Sequence, residues 1–166
     1  MKFSANRYME ITLEHAVSAA KQNEVPVAAI ITDENNNIIA KAHNQTIVTS
    51  NPLKHAEIIA LEQALDFLKY NNLPHNRLEN CSMFVSLEPC AMCAGAIATA
   101  RIRNLYYAAS DEKGGGVQHG ARVFSHNTCN HKPEIISGIM QEEASEILRN
   151  YFINLRKRKN LCLITS

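Results

Sequence analysis

Apolar residues recur every three or four positions in two long segments, a spacing that places them on one face of a helix. These segments are predicted to form helices over residues 5–21 and 55–70, with Ser4 as the N-cap of the first. The second helix is expected to carry a stripe of large apolar residues on one face: Ile58, Leu61, Leu65 and Leu68.

Two further helices are predicted from composition. Residues 89–100 are small helix formers, with Pro89 at the opening, where a missing N–H costs least. Residues 140–159 have acidic side chains early and basic side chains late, the order that the helix dipole favours.

Short apolar segments between these helices are predicted to be strands, and the polar turn "DENNN" joins the first two in a hairpin. The predicted strands span residues 25–32, 38–45, 82–87, 102–110 and 133–139. Strands that alternate with helices indicate a layered α/β fold. With no internal repeat or low-complexity linker, we expect one domain over residues 1–166.

Composition narrows the class of protein only modestly. Seventeen basic and 16 acidic residues give a net charge of +1, so the overall charge of the chain does not indicate nucleic-acid binding. The first residues lack the apolar core of a signal peptide, and no segment is apolar enough to cross a bilayer. We therefore expect a cytoplasmic protein, without membrane contact, whose five cysteines stay reduced. Metal binding or catalysis is a better use of the close pair Cys90 and Cys93 than a structural disulfide.

Four residues at helix starts suggest a metal-dependent reaction. Cys90 and Cys93 alone would fit a redox pair, half of a metal site or two core residues. His55 and Glu57 lie at the start of the preceding long helix, and together with the cysteines they favour the metal site. His-x-Glu followed by Pro-Cys-x-x-Cys is typical of zinc-dependent nucleobase deaminases.

These residue types suit a hydrolytic zinc site. One imidazole and two thiolates balance the charge of Zn²⁺ and leave its fourth position for water, whose pKa the metal lowers toward about 7. The partial positive charge of a helix N-terminus also favours the thiolate form of cysteine. We therefore predict His55, Cys90 and Cys93 as ligands of one zinc ion, and Glu57 as the residue that moves protons.

A purely structural zinc site is the main alternative interpretation of this pattern. Such a site normally takes a fourth protein ligand and would give Glu57 no role. The sequence offers four candidates for that ligand: His119, His126, Cys129 and His131.

Four segments, "EVPVAAIITDENNNIIAKAHNQ", "NPLKHAEIIAL", "MFVSLEPCAMCAGAIATARI" and "LYYAASDEKGGG", resemble the bacterial tRNA-specific adenosine deaminases over most of the chain. The resemblance implies a three-layer α/β/α cytidine-deaminase-like fold with a five-stranded mixed sheet. It also implies a homodimer with one zinc ion per subunit. The implied reaction converts the wobble adenosine in the anticodon of an arginine tRNA to inosine.

The same resemblance suggests residues that contact the substrate. Asn44 matches an asparagine that hydrogen-bonds the target base, with a turn at the strand end as the simpler interpretation. The other matched positions are Asp111, Lys113, Asn130 and Phe152, and for Phe152 a place in the core is equally compatible. Separately from the resemblance, Arg156 begins a basic run, Arg156 to Lys159, that could bind phosphate or simply complement the helix dipole.

The chain departs from the family pattern at Ala28, at Lys54 and in the loop after Lys113. These departures leave the metal chemistry intact but bear on the choice of substrate. A deaminase of a free base or nucleoside, such as guanine, cytosine or cytidine, therefore stays open as an alternative. So does a zinc-stabilised RNA-binding module without catalysis, although Glu57 would then be unused.

Overall fold

The computed structural model describes residues 4–73 and 76–164, with side chains as far as Arg158. Its helices are α1 (Ala5–Lys21), α2 (Ala56–Tyr70), α3 (Ala91–Ala100) and α4 (Gln141–Ile164). Its strands are β1 (Ala28–Thr32), β2 (Ile38–His43), β3 (Ser82–Leu87), β4 (Asn104–Ala109) and β5 (Glu134–Ser137), and Val123–Ser125 forms a short 3₁₀ helix. Each predicted helix and strand is confirmed, with ends that differ by a few residues.

The five strands form one mixed sheet, as predicted, and their order in the sheet is β2-β1-β3-β4-β5. Strand β1 is antiparallel to both β2 and β3, whereas β4 is parallel to both β3 and β5. In the β1–β2 hairpin the Asp33 carboxylate accepts hydrogen bonds from the backbone N–H groups of Asn35 and Asn37. Asn36 takes the left-handed conformation, with φ 65°, that closes the turn.

Helices cover both faces of the sheet, which confirms the three-layer α/β/α architecture. Met83 and Val85 of β3 point to one face and pack in a core with residues of α2 and α3. Phe84, between them, points to the other face and packs with residues of α1 and α4. This alternation follows from the two-residue period of a strand, and it explains why β3 is apolar on both sides.

Helix α2 buries a different face from the predicted one. Its fully buried side chains are mostly small, because alanines allow the helix axis to lie close to the sheet: Ala56, Glu57, Ile59, Ala60, Leu61 and Ala64. Of the predicted stripe only Leu61 is fully buried, while Ile58, Leu65 and Leu68 lie half-buried at its sides. The rotated face carries Glu57 into the interior, which matters for the site.

The start of α3 also differs from the prediction. Cys90, not Pro89, is the N-cap residue, with extended backbone at φ −69° and ψ 173°, and the helix proper begins at Ala91. At α1 the predicted cap is confirmed, because the Ser4 hydroxyl accepts a hydrogen bond from the N–H of Arg7 at 3.4 Å. Among the described helices, none combines the length and the hydrophobicity that a bilayer crossing requires.

Candidate metal centre and active site

The predicted metal ligands lie at the starts of two adjacent helices. His55 is the N-cap residue of α2 and Cys90 is that of α3, and neither side chain makes a capping hydrogen bond. Both side chains are therefore free to turn toward each other across the gap between the helices. Cys93 follows in the first turn of α3 and is fully buried.

The spacing of the three side chains fits one tetrahedral metal ion. The His55 Nδ1 atom lies 3.5 Å from the Cys93 sulfur and 3.8 Å from the Cys90 sulfur. All three ligand atoms lie within 4.8 Å of one another. A tetrahedral zinc site with ordinary bond lengths separates nitrogen and sulfur ligands by about 3.5 Å. Both thiols are free rather than joined in a disulfide.

Protonation of the two thiols is strongly coupled. Hydrogen bonds from Cys93 and then from His55 lower the pKa of Cys90 to about 4. The same bond, followed by burial, raises the pKa of Cys93. The hydrogen bond with Cys90 also raises the pKa of His55. These hydrogen bonds favour the thiolate form of Cys90, and the thiolate is the form of cysteine that binds a divalent cation.

Glu57 lies beside this cluster with an unsatisfied carboxyl oxygen. Its Oε2 atom is buried and has no hydrogen-bond partner among the described residues. Burial is the main cause that raises the pKa of Glu57. A buried polar atom without a partner costs about 1–3 kcal/mol, so its presence beside three metal ligands indicates a place for a water molecule or a substrate.

The four candidates for a fourth protein ligand lie elsewhere. The His119 ring contacts the Glu88 carboxylate at 2.6 Å. The rings of His126 and His131 contact the backbone oxygens of Ala121 and Ile102, and the Cys129 thiol donates to the backbone oxygen of His131. In the described part of the chain, the metal-ligand group that contains His55 has only three members. A metal ion held by these three residues would keep one coordination position for water, as the hydrolytic interpretation requires.

A cavity of about 280 Å³ adjoins the cluster and contains Asn44, His55, Glu57, Cys90 and Asp111 among its lining residues. The Asn44 Oδ1 atom accepts a hydrogen bond from the N–H of Ala56 at 2.9 Å. Its carboxamide Nδ2 group is left as a donor for a ligand in the cavity. Asn44 thus both follows the end of β2 and caps the first turn of α2 at the cavity wall.

The other predicted substrate residues lie at varying distances from this cavity. Asp111 lines it, and its Oδ1 accepts hydrogen bonds from the N–H groups of Lys113 and Gly114. Lys113 is exposed in the same loop. Asn130 lines a separate cavity of about 500 Å³ between α3 and residues 121–131, which contains none of the metal ligands. The larger cavity is therefore separate from the candidate metal centre.

Phe152 and Arg156 lie exposed on α4, so a core role for Phe152, which is 42% exposed, is excluded. The basic run is not uniform, because Arg158 donates a hydrogen bond to the Asn23 side chain at 2.6 Å. Tyr151 donates to the Asn23 backbone oxygen at 2.9 Å. These contacts fix α4 beside the segment that precedes β1. The Lys159 and Cys162 side chains lie outside the described residues.

Two buried glutamates were missed by the sequence analysis, and each holds one rim of the cavity. Glu24 accepts hydrogen bonds from the Thr46 hydroxyl and from the N–H groups of Ile47 and Val48. Glu88, two residues before Cys90, binds the loop that contains Asp111. The signal for both was an acidic residue at the edge of an apolar segment, in "EVPV" and "SLEP".

Hydrogen bonds keep Glu88 ionised in spite of its burial. Burial alone would raise the pKa of Glu88, but bonds from the backbone and ring of His119, and from the backbone of Asp111 and Gln118, lower it. Several N–H donors on one carboxylate favour the charged form in this way.

Two of the positions that depart from the family pattern make contacts within the chain. The N–H of Ala28 donates to the Ser86 hydroxyl at 3.0 Å inside the sheet. The Lys54 ammonium contacts the Glu62 carboxylate at 2.8 Å on the surface of α2. Both residues are engaged within the chain, and neither closes the cavity.

A mixed five-stranded sheet between helical layers, with a His-Cys-Cys cluster and an unligated glutamate at helix starts, defines a deaminase of the cytidine-deaminase-like fold. Residues 3–156 match the family model of the MafB19-like deaminases. Within these deaminases the chain belongs to the family of tRNA-specific adenosine deaminases.

The family assignment rests on similarity over nearly the whole chain. The tRNA-specific adenosine deaminase of Agrobacterium fabrum is 42% identical over 145 residues, which cover 87% of this chain and 91% of that protein. The enzyme of the same name from Rickettsia bellii is 43% identical over 89% of this chain and 99% of its own.

Solved structures give the same picture. A structure from a study of A-to-I editing by tRNA:A34 deaminases is 41% identical, has a TM-score of 0.78, and is matched over 86% of this chain and 99% of its own. A guanine deaminase from Nitrosomonas europaea, at 22% identity and a TM-score of 0.72, shares the fold over 91% of this chain and 86% of its own. The low identity of the second structure supports the fold alone.

Proposed function

We propose that this protein catalyses the zinc-dependent hydrolytic deamination of adenosine to inosine at the wobble position of a tRNA anticodon. The observation that carries the proposal is the buried Glu57 carboxyl group beside the three-membered ligand cluster. Its Oε2 atom has no hydrogen-bond partner among the described residues. The relatives named tRNA-specific adenosine deaminase support the choice of adenosine in tRNA as substrate.

His55, Cys90 and Cys93 fit a zinc ion by donor type and spacing, and would hold it. When bound, zinc supplies the Lewis acid that makes water nucleophilic at neutral pH. Glu57 takes a proton from the water that adds at C6 of adenine and delivers it to the ring nitrogen N1. Glu57 then transfers the remaining proton of that water from the oxygen at C6 to the amino group. The C6–N bond breaks and ammonia leaves.

The remaining residues orient the nucleotide. The Asn44 carboxamide offers a donor at the cavity wall, and Asp111 offers an acceptor at its mouth. Lys113, Asn130, Phe152 and Arg156 are exposed and are proposed to contact the RNA around the extruded base. A nucleotide in an anticodon loop is already unpaired, so its extrusion costs only a few kcal/mol.

The decisive test is turnover of the purified, zinc-loaded protein on synthetic RNA. An arginine tRNA anticodon stem–loop with adenosine at the wobble position is expected to gain 1 Da as inosine forms, since NH is replaced by O. The same stem–loop with the adenosine one position away is the matched control. Rapid turnover of free guanine or cytosine with inert stem–loop would favour the alternative, a free-base deaminase.

Neutralising Arg156 and Lys157 together is expected to weaken RNA binding and to flatten its salt dependence. Each phosphate contact on a single strand contributes about 0.7 to the slope of log K against log salt, so the double variant should lose up to about 1.4. Affinity measured by fluorescence anisotropy from low to moderate salt checks this.

The control for that measurement is the double variant Arg7→Gln/Arg77→Gln, which has the same change in net charge. Both arginines are exposed and paired with glutamates, at 3.2 Å and 3.1 Å. An unchanged slope for the Arg156 and Lys157 variant would assign these residues to the helix dipole instead.

We further propose that residues 1–166 form a single domain, that the protein acts as a cytoplasmic homodimer, and that each subunit binds one zinc ion. The family resemblance supports the dimer, and the reduced thiols required of Cys90 and Cys93 support a reducing compartment. A mass of about 37 kDa in solution is expected from twice the 18.5 kDa chain. A mass equal to one chain at micromolar concentration would contradict the dimer.

A further inference from the structure

The Glu88 carboxylate makes an unusually complete set of hydrogen bonds for a residue outside the proposed chemistry. Its side chain is fully buried, and one of its oxygens accepts the backbone N–H groups of Val117, Gln118 and His119 at 2.8 to 3.2 Å. The other oxygen accepts the N–H of Asp111 at 3.1 Å and contacts the His119 ring at 2.6 Å. All of these partners belong to one loop, residues 111–119.

Two glycines allow this loop to wrap closely around Glu88 and the start of α3. A Cβ atom on Gly115 would lie 2.6 Å from the Glu88 carboxyl carbon, and one on Gly116 would lie 2.5 Å from the nitrogen of Ala91. Gly116 also donates its N–H to the Pro89 backbone oxygen at 2.8 Å. The loop is therefore packed against the very peptides that lead into Cys90.

Asp111 is the member of this loop that reaches the cavity. Its Oδ1 atom is used within the loop, while no hydrogen bond of its Oδ2 atom is found among the described residues. Because Glu88 binds the N–H of Asp111 and precedes the metal ligand Cys90 by two residues, it sets the distance between Asp111 and the metal cluster. Glu88 also lines the cavity, but both of its carboxylate oxygens are engaged by residues of this loop.

We infer that Glu88 is a positioning residue for substrate binding, which acts through Asp111 and not through the metal or the proton transfer. This inference rests on the proposed function. Glu24 is the natural comparison, because it is also a buried glutamate that holds a rim of the cavity but binds a different segment, residues 46–48.

A double-mutant cycle tests the inference. Glu88→Gln keeps one carbonyl oxygen but places an amide N–H against the N–H of Asp111. It is expected to raise KM for the anticodon stem–loop about tenfold, with full zinc content and kcat within about twofold of wild type. In an Asp111→Asn background, Glu88→Gln should raise KM little further, because the two substitutions remove the same interaction.

The control cycle pairs Glu24→Gln with Asp111→Asn, and there the two losses should multiply, since the residues hold different rims. If the KM increases of Glu88→Gln and Asp111→Asn multiply in the double variant while the wild type turns over normally, the positioning role is wrong. Failure of the wild type on the stem–loop would overturn the proposed function instead. The two failures are therefore distinct.

His119 provides a second route if Glu88→Gln does not fold. Its side chain is 35% exposed, so replacement there is tolerated more readily than at the buried carboxylate. His119→Ala is expected to raise KM and to lose this effect in the Asp111→Asn background. His119→Asn, whose amide nitrogen can take the place of Nδ1, is expected to restore it. An unchanged KM for His119→Ala would overturn the inference.

Discussion

Glu57→Gln is expected to bind zinc normally and to deaminate the anticodon stem–loop at least about 10³-fold more slowly than wild type. A positioned general acid–base contributes about 10² to 10⁴ to a rate, and Glu57 is asked to move two protons in each turnover. The glutamine side chain has nearly the same shape, so it should occupy the buried site without disturbing α2. Single-turnover kinetics and metal analysis on the same preparation measure both effects.

The matched control is Asp66→Asn, an equivalent loss of one acidic charge on the exposed side of α2. It should leave the rate within about twofold of wild type, as expected for a surface substitution away from the site. A normal rate for Glu57→Gln would remove Glu57 from the mechanism. A loss of zinc in that variant would show that the carboxylate acts as a ligand.

The second large effect is expected from the cysteines. Cys90→Ala and Cys93→Ala should each lose stoichiometric zinc, because two ligands do not hold the ion against dilution. The melting temperature should then cease to respond to added zinc. Bound metal stabilises the native state by about 4 kcal/mol when free zinc is 1,000 times its dissociation constant, and this is the stabilisation the variants forfeit.

Cys81→Ala separates metal binding from packing. Cys81 is buried and free but lies outside the ligand cluster, and burial raises its pKa to about 11. Its replacement should cost packing energy while zinc content stays at one ion per chain. Unchanged zinc in either Cys90→Ala or Cys93→Ala would exclude that residue as a ligand. Loss of zinc in Cys129→Ala would revive the structural-site interpretation.

The metal cluster could be predicted because its information is local. Cys90 and Cys93 are three residues apart at the start of one helix, and His55 and Glu57 are two apart at the start of another. Side chains three residues apart in the first turn of a helix lie on the same face, whereas the joint role of His55 and Glu57 was predicted from a known pattern. Pairing the two helix starts needed a known pattern, and the spacing of the ligand atoms is consistent with it.

The buried face of α2 could not be predicted from hydrophobicity. The large residues Ile58, Leu65 and Leu68 suggested one face, but the sheet contacts the small residues around Ala60 and Ala64. Close approach of a helix to a sheet rewards small side chains, a gain that only the packed neighbours reveal. The error mattered, since the correct face is the one that buries Glu57.

The rims of the cavity depended on contacts distant in sequence. Glu88 binds residues up to 31 positions away, and Glu24 binds Val48 across 24 positions. The local signal, an acidic residue at the edge of an apolar segment, does not indicate which distant segment the carboxylate binds. Likewise, Asn130 and the four rejected metal ligands could be assigned only once their own partners were known.

The amino-acid sequence by itself determined the order of helices and strands, the layered class of fold and the four candidate residues of a metal-dependent site. The helices and strands follow from the identity and spacing of neighbouring residues, and the combination of the two helix starts into one site follows from a known pattern. Only the tertiary structure decided which glutamates are buried, which loop side chains reach the cavity and that, among the described residues, the cluster around His55 has three members. Those outcomes depend on which segments share an interior, where an unpaired polar atom is costly.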